Sequence, residues 1–278
     1  MLALILINGC ASSPYDPALY ASFMRDSSIK DAHFLHRVQF IEQTGSTRSK
    51  ATEHNHISFT GSQKLLVFIE GDGSPWFREK YVSQDPSPRN LLMYAAMQDV
   101  QGSRLYLGRP CYFQTQDPNC HYRYWTSHRY SAEVVKSMQD VLAMYLTAYD
   151  EIVYIGHSGG GSLAALMACA PQAAHIRSRT LITLSANLDS DKWTDHHGWS
   201  RMRGSLNPAR SLTSCPGLRQ FHYVGGNDEN VPSFLNQRFY DQHGVTPIIY
   251  EEAGHADWLP FWPDIIDHNP ALKASESP

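Results

Sequence analysis

Ile152-Val153-Tyr154-Ile155-Gly156-His157-Ser158-Gly159-Gly160-Gly161 decides how the rest of this chain is read. Residues 152–155 are all β-branched or aromatic, the pattern of a strand buried on both faces. Residues 159–170 are small and apolar, as suits a helix that presses close against a sheet. Between them stands G-x-S-x-G. A serine at a sharp strand-to-helix turn has a strained backbone, and its neighbours must lack side chains that would collide. Such a turn lifts the Ser158 hydroxyl above the sheet. It also aims the first amides of the following helix at the same space, where the helix dipole favours negative charge. A phosphate-binding Gly-rich turn is the competing reading, but neither the Lys-Ser/Thr of a P-loop nor G-x-G-x-x-G is present.

Outward from this turn, apolar runs at residues 65–69, 104–107, 180–184, 221–224 and 247–250 read as further strands. Residues 90–98, 131–148, 231–243 and 259–267 read as helices between or after them, and 34–41 with 56–60 as an antiparallel hairpin ahead of them. This alternation predicts an α/β fold with a mainly parallel sheet and helices on both faces. Functional groups are then expected just beyond the carboxyl ends of the strands. Residues 188–215, rich in Trp, His, Arg and Asn, interrupt the alternation and read as a lid over the site; Trp193 and Trp199 lend themselves equally to lining a moderately apolar pocket and to ordinary packing. A length of 278 residues fits one domain, here 31–270, after a tether at 11–30 and before a tail at 271–278.

A hydroxyl needs a base to become a nucleophile at neutral pH, and the base needs an orienting acid. Where a strand-turn serine leads, the acid and then the histidine follow in chain order. Asp228 closes Phe221-His222-Tyr223-Val224-Gly225-Gly226-Asn227-Asp228, a strand running into a Gly turn. Glu229 and Asp189 are the alternative acids. His255, in Glu252-Ala253-Gly254-His255, is the one histidine among 14 that follows the last strand at a glycine turn. His157 adjoins Ser158 but lies on the wrong side of the turn to serve it as base. A tetrahedral oxyanion requires donors already in place. Those named here are the N–H of Gly159 and, from Glu70-Gly71-Asp72-Gly73, the N–H of Asp72. Two acidic side chains beside a developing anion are a cost unless they point away.

Composition narrows the function classes. With 42% hydrophobic and 18% charged residues the chain packs as a globule. Its net charge of −4, with no basic block, points to no nucleic-acid partner. No apolar run is long enough to span a bilayer. Cys111 and Cys120 flank a polar segment with a proline turn and read as a disulfide formed in an oxidising compartment. Cys169 and Cys215 are left as a pair that sequence cannot join. No C-x-x-C occurs, so no zinc site is expected. Apolar residues 1–7, then Asn8-Gly9-Cys10-Ala11-Ser12-Ser13, resemble the end of a bacterial lipoprotein signal peptide, although Asn8 is unusual there and no basic stretch comes first. That resemblance makes Cys10 a lipidation site and implies membrane contact through an N-terminal anchor at the periplasmic face of the cell envelope, or secretion.

After Cys10, nearly the whole chain resembles the α/β-hydrolases, and more narrowly uncharacterised bacterial envelope or lipoprotein members. The segments that carry the resemblance are the serine turn, Glu70-Gly71-Asp72-Gly73, Gly108-Arg109-Pro110-Cys111, Trp125-Thr126 with Arg129-Tyr130-Ser131, Asn187-Leu188-Asp189, Gly204-Ser205-Leu206-Asn207-Pro208 and Val224-Gly225-Gly226. Relatives often have His-Gly where this chain has Glu70-Gly71. The resemblance implies hydrolase chemistry without a metal or organic cofactor and leaves the substrate open. Three functions are compatible with it: hydrolysis of a small or lipid-like carboxylic ester, acyl transfer or peptide cleavage in the envelope, and ligand binding by a lipid-anchored scaffold without catalysis.

Overall fold

The apolar runs form the middle of one eight-stranded sheet. The computed structural model describes residues 16–43, 63–78, 80–171 and 173–273. In chain order these form α1 (Pro17–Asp26), β1 (Ser28–Asp31), β2 (Leu35–Ile41), β3 (Lys64–Ile69), β4 (Trp76–Phe77), β5 (Tyr81–Val82), α2 (Leu92–Gln98), β6 (Ser103–Leu107) and α3 (Ala132–Ala143). There follow β7 (Glu151–His157), α4 (Gly159–Cys169), β8 (Ser178–Leu184), α5 (Ser190–His196), α6 (Pro208–Ser211), β9 (Leu218–Gly225), α7 (Gln237–His243), β10 (Ile248–Tyr250) and α8 (Trp262–His268). The sheet order is β1-β2-β6-β3-β7-β8-β9-β10. All pairs from β6 to β10 are parallel, and β1 and β2 add an antiparallel edge.

Both faces of the sheet are covered, which explains why residues 65–69 of β3 and 152–155 of β7 are apolar without interruption. In β3, Leu65, Val67 and Ile69 pack into one core with residues of α3, α4 and α7. Leu66 and Phe68 pack into the other, with α1, α2 and α8. The chain leaves β3 for the second face and β7 for the first. The strand order also reverses here, because β6 lies on one side of β3 and β7 on the other. A crevice therefore opens at the carboxyl ends of β3 and β7, where an open α/β sheet binds its ligand.

Several elements differ from their sequence reading. The 11–30 tether gives way from Asp16 onward to a helix, capped by the Asp16 carboxylate, which accepts from the Ala18 and Leu19 amides at 2.9 and 3.0 Å. Its Phe23 is fully buried, with ring centroids 5.0 Å from Tyr94, 4.8 Å from Tyr106 and 4.9 Å from Phe113. The antiparallel partners of β2 are β1 and β6, and residues 56–60 lie outside the described residues. After Pro232 the helix read at 231–243 opens as a 3-10 turn, Ser233–Asn236, and ends at Gly244, whose φ of 62° is left-handed. The β4–β5 ribbon was not legible in the sequence. Residues 188–215 form a short cap containing α5 and α6.

Cys111 and Cys120 are disulfide-bonded, and so are Cys169 and Cys215, which joins the end of α4 to the segment before β9. Cys10 lies outside the described residues. Among the described residues no helix is long and apolar enough to cross a membrane. Because Phe23 clamps α1 onto the sheet, Phe23→Ala should lower stability by about 3–5 kcal/mol, the range for emptying a buried aromatic site. Urea denaturation followed by circular dichroism measures this, and a shift well under 1 kcal/mol would mean that α1 is a dispensable tether after all.

Candidate active site

Strand β7 ends at His157, and the next residue turns the chain back into α4. Ser158 has φ 51° and ψ −124°, a conformation that L side chains rarely adopt. Its N–H donates to Leu184 O of β8 at 2.9 Å, and its carbonyl accepts from Gly161 N at 3.0 Å. The glycines make this possible. A Cβ at Gly156 would lie 2.4 Å from Gly160 O, and one at Gly160 would lie 2.3 Å from Ile69 O. The Gly159 N–H is at the first position of α4, where no intrahelical acceptor exists.

Ser158, His255 and Asp228 form an unbroken hydrogen-bonded chain. His255 Nε2 is 3.0 Å from Ser158 Oγ, and His255 Nδ1 is 2.9 and 3.1 Å from the two Asp228 carboxylate oxygens. Asp228 comes from the loop after β9 and His255 from the loop after β10. Backbone bonds join these loops: Gly226 N to Tyr250 O at 2.9 Å and Asn227 N to Ala253 O at 3.0 Å. Asp228 Oδ1 also accepts from the Asn230 and Val231 amides at 2.9 and 2.8 Å. Burial alone would raise the Asp228 pKa, but the hydrogen bond and charge of His255, with help from Val231 N–H and Ser185, hold it below the usual carboxylate range.

The alternative acids lie elsewhere. Asp189 caps α5 through Lys192 N and accepts from Asn207 Nδ2 at 2.8 Å, and Glu229 is exposed. His157 does not reach toward the serine. Its Nε2–H donates to the carbonyl of His255 at 2.7 Å, a carbonyl that also accepts from Trp258 Nε1 at 3.2 Å. Burial foremost, then the neighbouring His255, lowers the His157 pKa to about 3, so it stays neutral at pH 7 and braces the His255 loop.

The loop after β3 lies beside Ser158, since a Cβ at Gly71 would be 3.4 Å from Ser158 Cβ. Both acidic side chains of this loop are committed elsewhere. The Glu70 carboxyl group turns toward α2, whose N-cap residue offers no side-chain bond, and accepts from Met93 N at 3.0 Å. Asp72 accepts from Arg109 Nη1 and from Arg129 Nη1 at 2.8 Å and the Tyr130 hydroxyl at 2.6 Å. Its own carbonyl accepts from Tyr112 Oη at 3.0 Å. Sequence reasoning missed Arg109, Arg129 and Tyr130 as neighbours of the site. Their segments were visible, but nothing local ties residues 109 and 129 to residue 72.

The cap is pinned to these same segments. Leu206 N donates to Tyr130 O at 3.0 Å, and Ser205 Oγ to Ser127 O at 3.0 Å. Trp193 is buried and donates to Asn230 O at 2.9 Å, which makes it a packing residue, whereas Trp199 is exposed and stacks on His197. A cleft of about 590 Å³ in the cap is lined by Asp191, Arg201, Arg203, Ser205, Asn207 and Arg210 among others; it is polar and includes none of Ser158, Asp228 and His255. Among the described residues no group of three or more His, Cys, Asp and Glu could hold a metal ion.

No family model matches the chain, and no curated protein matches its sequence at a significant level. Solved structures do match in fold. A sugar hydrolase (YeeB) from Lactococcus lactis superposes with a TM-score of 0.53 at 14% identity, covering 90% of each chain. Mouse alpha/beta hydrolase domain-containing protein 10 gives 0.50 at 12% identity, over 87% of this chain and 97% of its own. A protein of unknown function from Agrobacterium tumefaciens, provisionally an α/β hydrolase, gives 0.55 at 10% identity over 87% and 94%. The chain therefore has the α/β-hydrolase fold: a mostly parallel sheet of eight strands with helices on both faces.

Glu70 provides a pH test of the loop beside Ser158. Burial raises its pKa from 4.5 to about 8, against the lowering effect of the Met93 and Tyr94 amides and the Tyr106 hydroxyl. The folded state then holds this proton more tightly than the unfolded chain, so the Glu70 contribution to stability falls as pH rises from 4.5 to about 8. Glu70→Gln should gain on the wild type across that window and level off above it. Paired urea titrations near pH 5 and pH 8 read the effect, and a constant difference would mean that Glu70 titrates normally.

Proposed function

We propose that this chain is a serine hydrolase that cleaves a carboxylic ester through an acyl-enzyme. The observation that supports it most is the continuous chain from Ser158 Oγ through His255 to Asp228, built on a serine held at positive φ. In this reading Ser158 Oγ attacks the ester carbonyl while His255 Nε2 takes its proton. Asp228 keeps the other imidazole proton on Nδ1 and stabilises the imidazolium. The carbonyl oxygen becomes an oxyanion that accepts from the Gly159 N–H and the Asp72 N–H. Collapse breaks the bond to the alkoxy oxygen, which leaves as alcohol with the proton from His255. Water then attacks the acyl-enzyme with His255 again as base, releasing the acid and restoring Ser158.

Envelope location belongs to the same proposal. Two disulfides favour an oxidising compartment, and the apolar leader before Cys10 supplies the route there. Incorporation of a clickable fatty acid that is lost in Cys10→Ser would support lipid anchoring.

A fluorophosphonate probe tests the nucleophile without a guess at the substrate. Labelling should map to Ser158 and vanish in Ser158→Ala. On an ester series of graded acyl length, Asp228→Asn should lower kcat by roughly 10⁴-fold, because the histidine is left in the wrong tautomer. Folded wild-type protein that resists the probe would turn the assignment toward a binding protein on a hydrolase scaffold.

A further inference from the structure

We propose that Arg109 and Arg129 are positioning and charge-setting residues of the oxyanion site: both guanidiniums clamp the Asp72 carboxylate, hold residues 70–73 against Gly159, and leave a buried cluster with one net positive charge beside the developing anion. The inference rests on Ser158 being the nucleophile. It accounts for two segments for which the reaction itself has no use, Gly108-Arg109-Pro110-Cys111 and Arg129-Tyr130-Ser131, and for the acidic side chain of Asp72 in Glu70-Gly71-Asp72-Gly73.

The geometry is close. A Cβ at Gly159 would lie 2.2 Å from Asp72 Oδ1 and 2.4 Å from the Tyr130 hydroxyl, so carboxylate and phenol touch the residue that offers the oxyanion donor. Left unpaired there, the Asp72 charge would repel the intermediate. Arg109 instead holds Oδ1, while Arg129 and Tyr130 hold Oδ2. Arg109 also donates to Arg129 O at 3.2 Å, and Arg129 Nε to Thr126 O at 2.8 Å, so each guanidinium is fixed by a neighbour besides Asp72. Arg109 lies over the Tyr112 and Tyr130 rings at 4.9 and 5.6 Å.

The charge balance is unusual. Arg109 and Arg129 are 1% and 6% exposed, and guanidinium stays protonated. Burial pushes the Asp72 carboxyl up, yet Arg129 and Arg109 hold it well below the ordinary range, so it is ionised. One arginine would neutralise one aspartate. The second leaves an uncompensated buried charge, which costs stability unless something negative appears nearby. The tetrahedral oxyanion appears there, in a site of low dielectric where a fixed charge acts strongly.

The test uses the full chain and a chromogenic ester, together with a trifluoromethyl ketone. Ser158 Oγ adds to the ketone carbon, the proton passes to His255, and an oxyanion remains on the former carbonyl oxygen. Arg129→Gln should lower kcat by roughly tenfold or more, with KM within about threefold of wild type, and weaken the ketone by the same factor as kcat/KM. Arg129→Lys, which keeps the charge, should recover most of both. A folded Arg129→Gln with wild-type kcat and ketone affinity overturns the proposal, and so do equal losses in the Gln and Lys variants. If circular dichroism shows Arg129→Gln unfolded, Tyr130→Phe decides: it removes one bond to Asp72 and should lower kcat several-fold at constant KM, while an unchanged kcat overturns the proposal. Wild-type protein that fails to label at Ser158 with a fluorophosphonate removes the nucleophile itself, an outcome distinct from labelled variants with unaltered kinetics.

Discussion

A backbone turn that L side chains resist underlies the arrangement around Ser158. At φ 51° the residue carries strain that only surrounding contacts can hold in place. Those contacts come from three directions. Leu184 O anchors its N–H from β8, Gly160 packs against Ile69 O of β3, and Gly161 with Ser162 returns to its carbonyl from α4. Two parallel neighbours and one helix must therefore be in register before the hydroxyl faces the crevice. Since Ile69 pairs with Gly156 and His157 with Leu184, the ladder that builds the sheet also sets the height of the Ser158 hydroxyl above it.

From this turn the site is assembled by loops that hold one another. His157 braces the backbone of His255, the Gly226 and Asn227 amides tie the Asp228 loop to the His255 loop, and the Asp72 cluster ties the β3 loop to the segments at 109–112 and 126–130. The cap then rests on residues 127–130 through Ser205 and Leu206. A disturbance of the cap at Ser205 or Leu206 would thus be felt first at Tyr130 and Asp72, whereas one at Trp193 would reach Asn230 and the Asp228 loop.

The sequence carried the features that depend on local pattern. Strands β3 and β7 were legible because burial on both faces leaves residues 65–69 and 152–155 without a polar position, β8 because its apolar residues are interspersed only with buried threonines, and Ser158 because its turn imposes glycine at fixed offsets. That Asp228 and His255 come together at Ser158 could be expected because a parallel sheet gathers the loops after its strands at one edge. The rest depends on contacts distant in sequence. Glu70 serves a helix 23 positions away, Arg109 and Arg129 meet Asp72 across 37 and 57, and neither distance leaves a periodicity to read. Helix α1 escaped for a different reason. Its ten residues hold one fully buried apolar anchor, Phe23, too little to separate a docked helix from a polar linker by composition.

That docked helix has a mechanical consequence for a lipid-anchored form of the protein. Helix α1 is capped at Asp16 and fastened to the sheet by Phe23, so the folded body begins six positions after Cys10. Six residues, fully stretched, reach about 20 Å. A chain lipidated at Cys10 would keep the start of α1 within that reach of its anchor. It would stay in the layer of solvent just above the bilayer, and what reaches the crevice would be set as much by what resides in or leaves that layer as by the shape of the crevice.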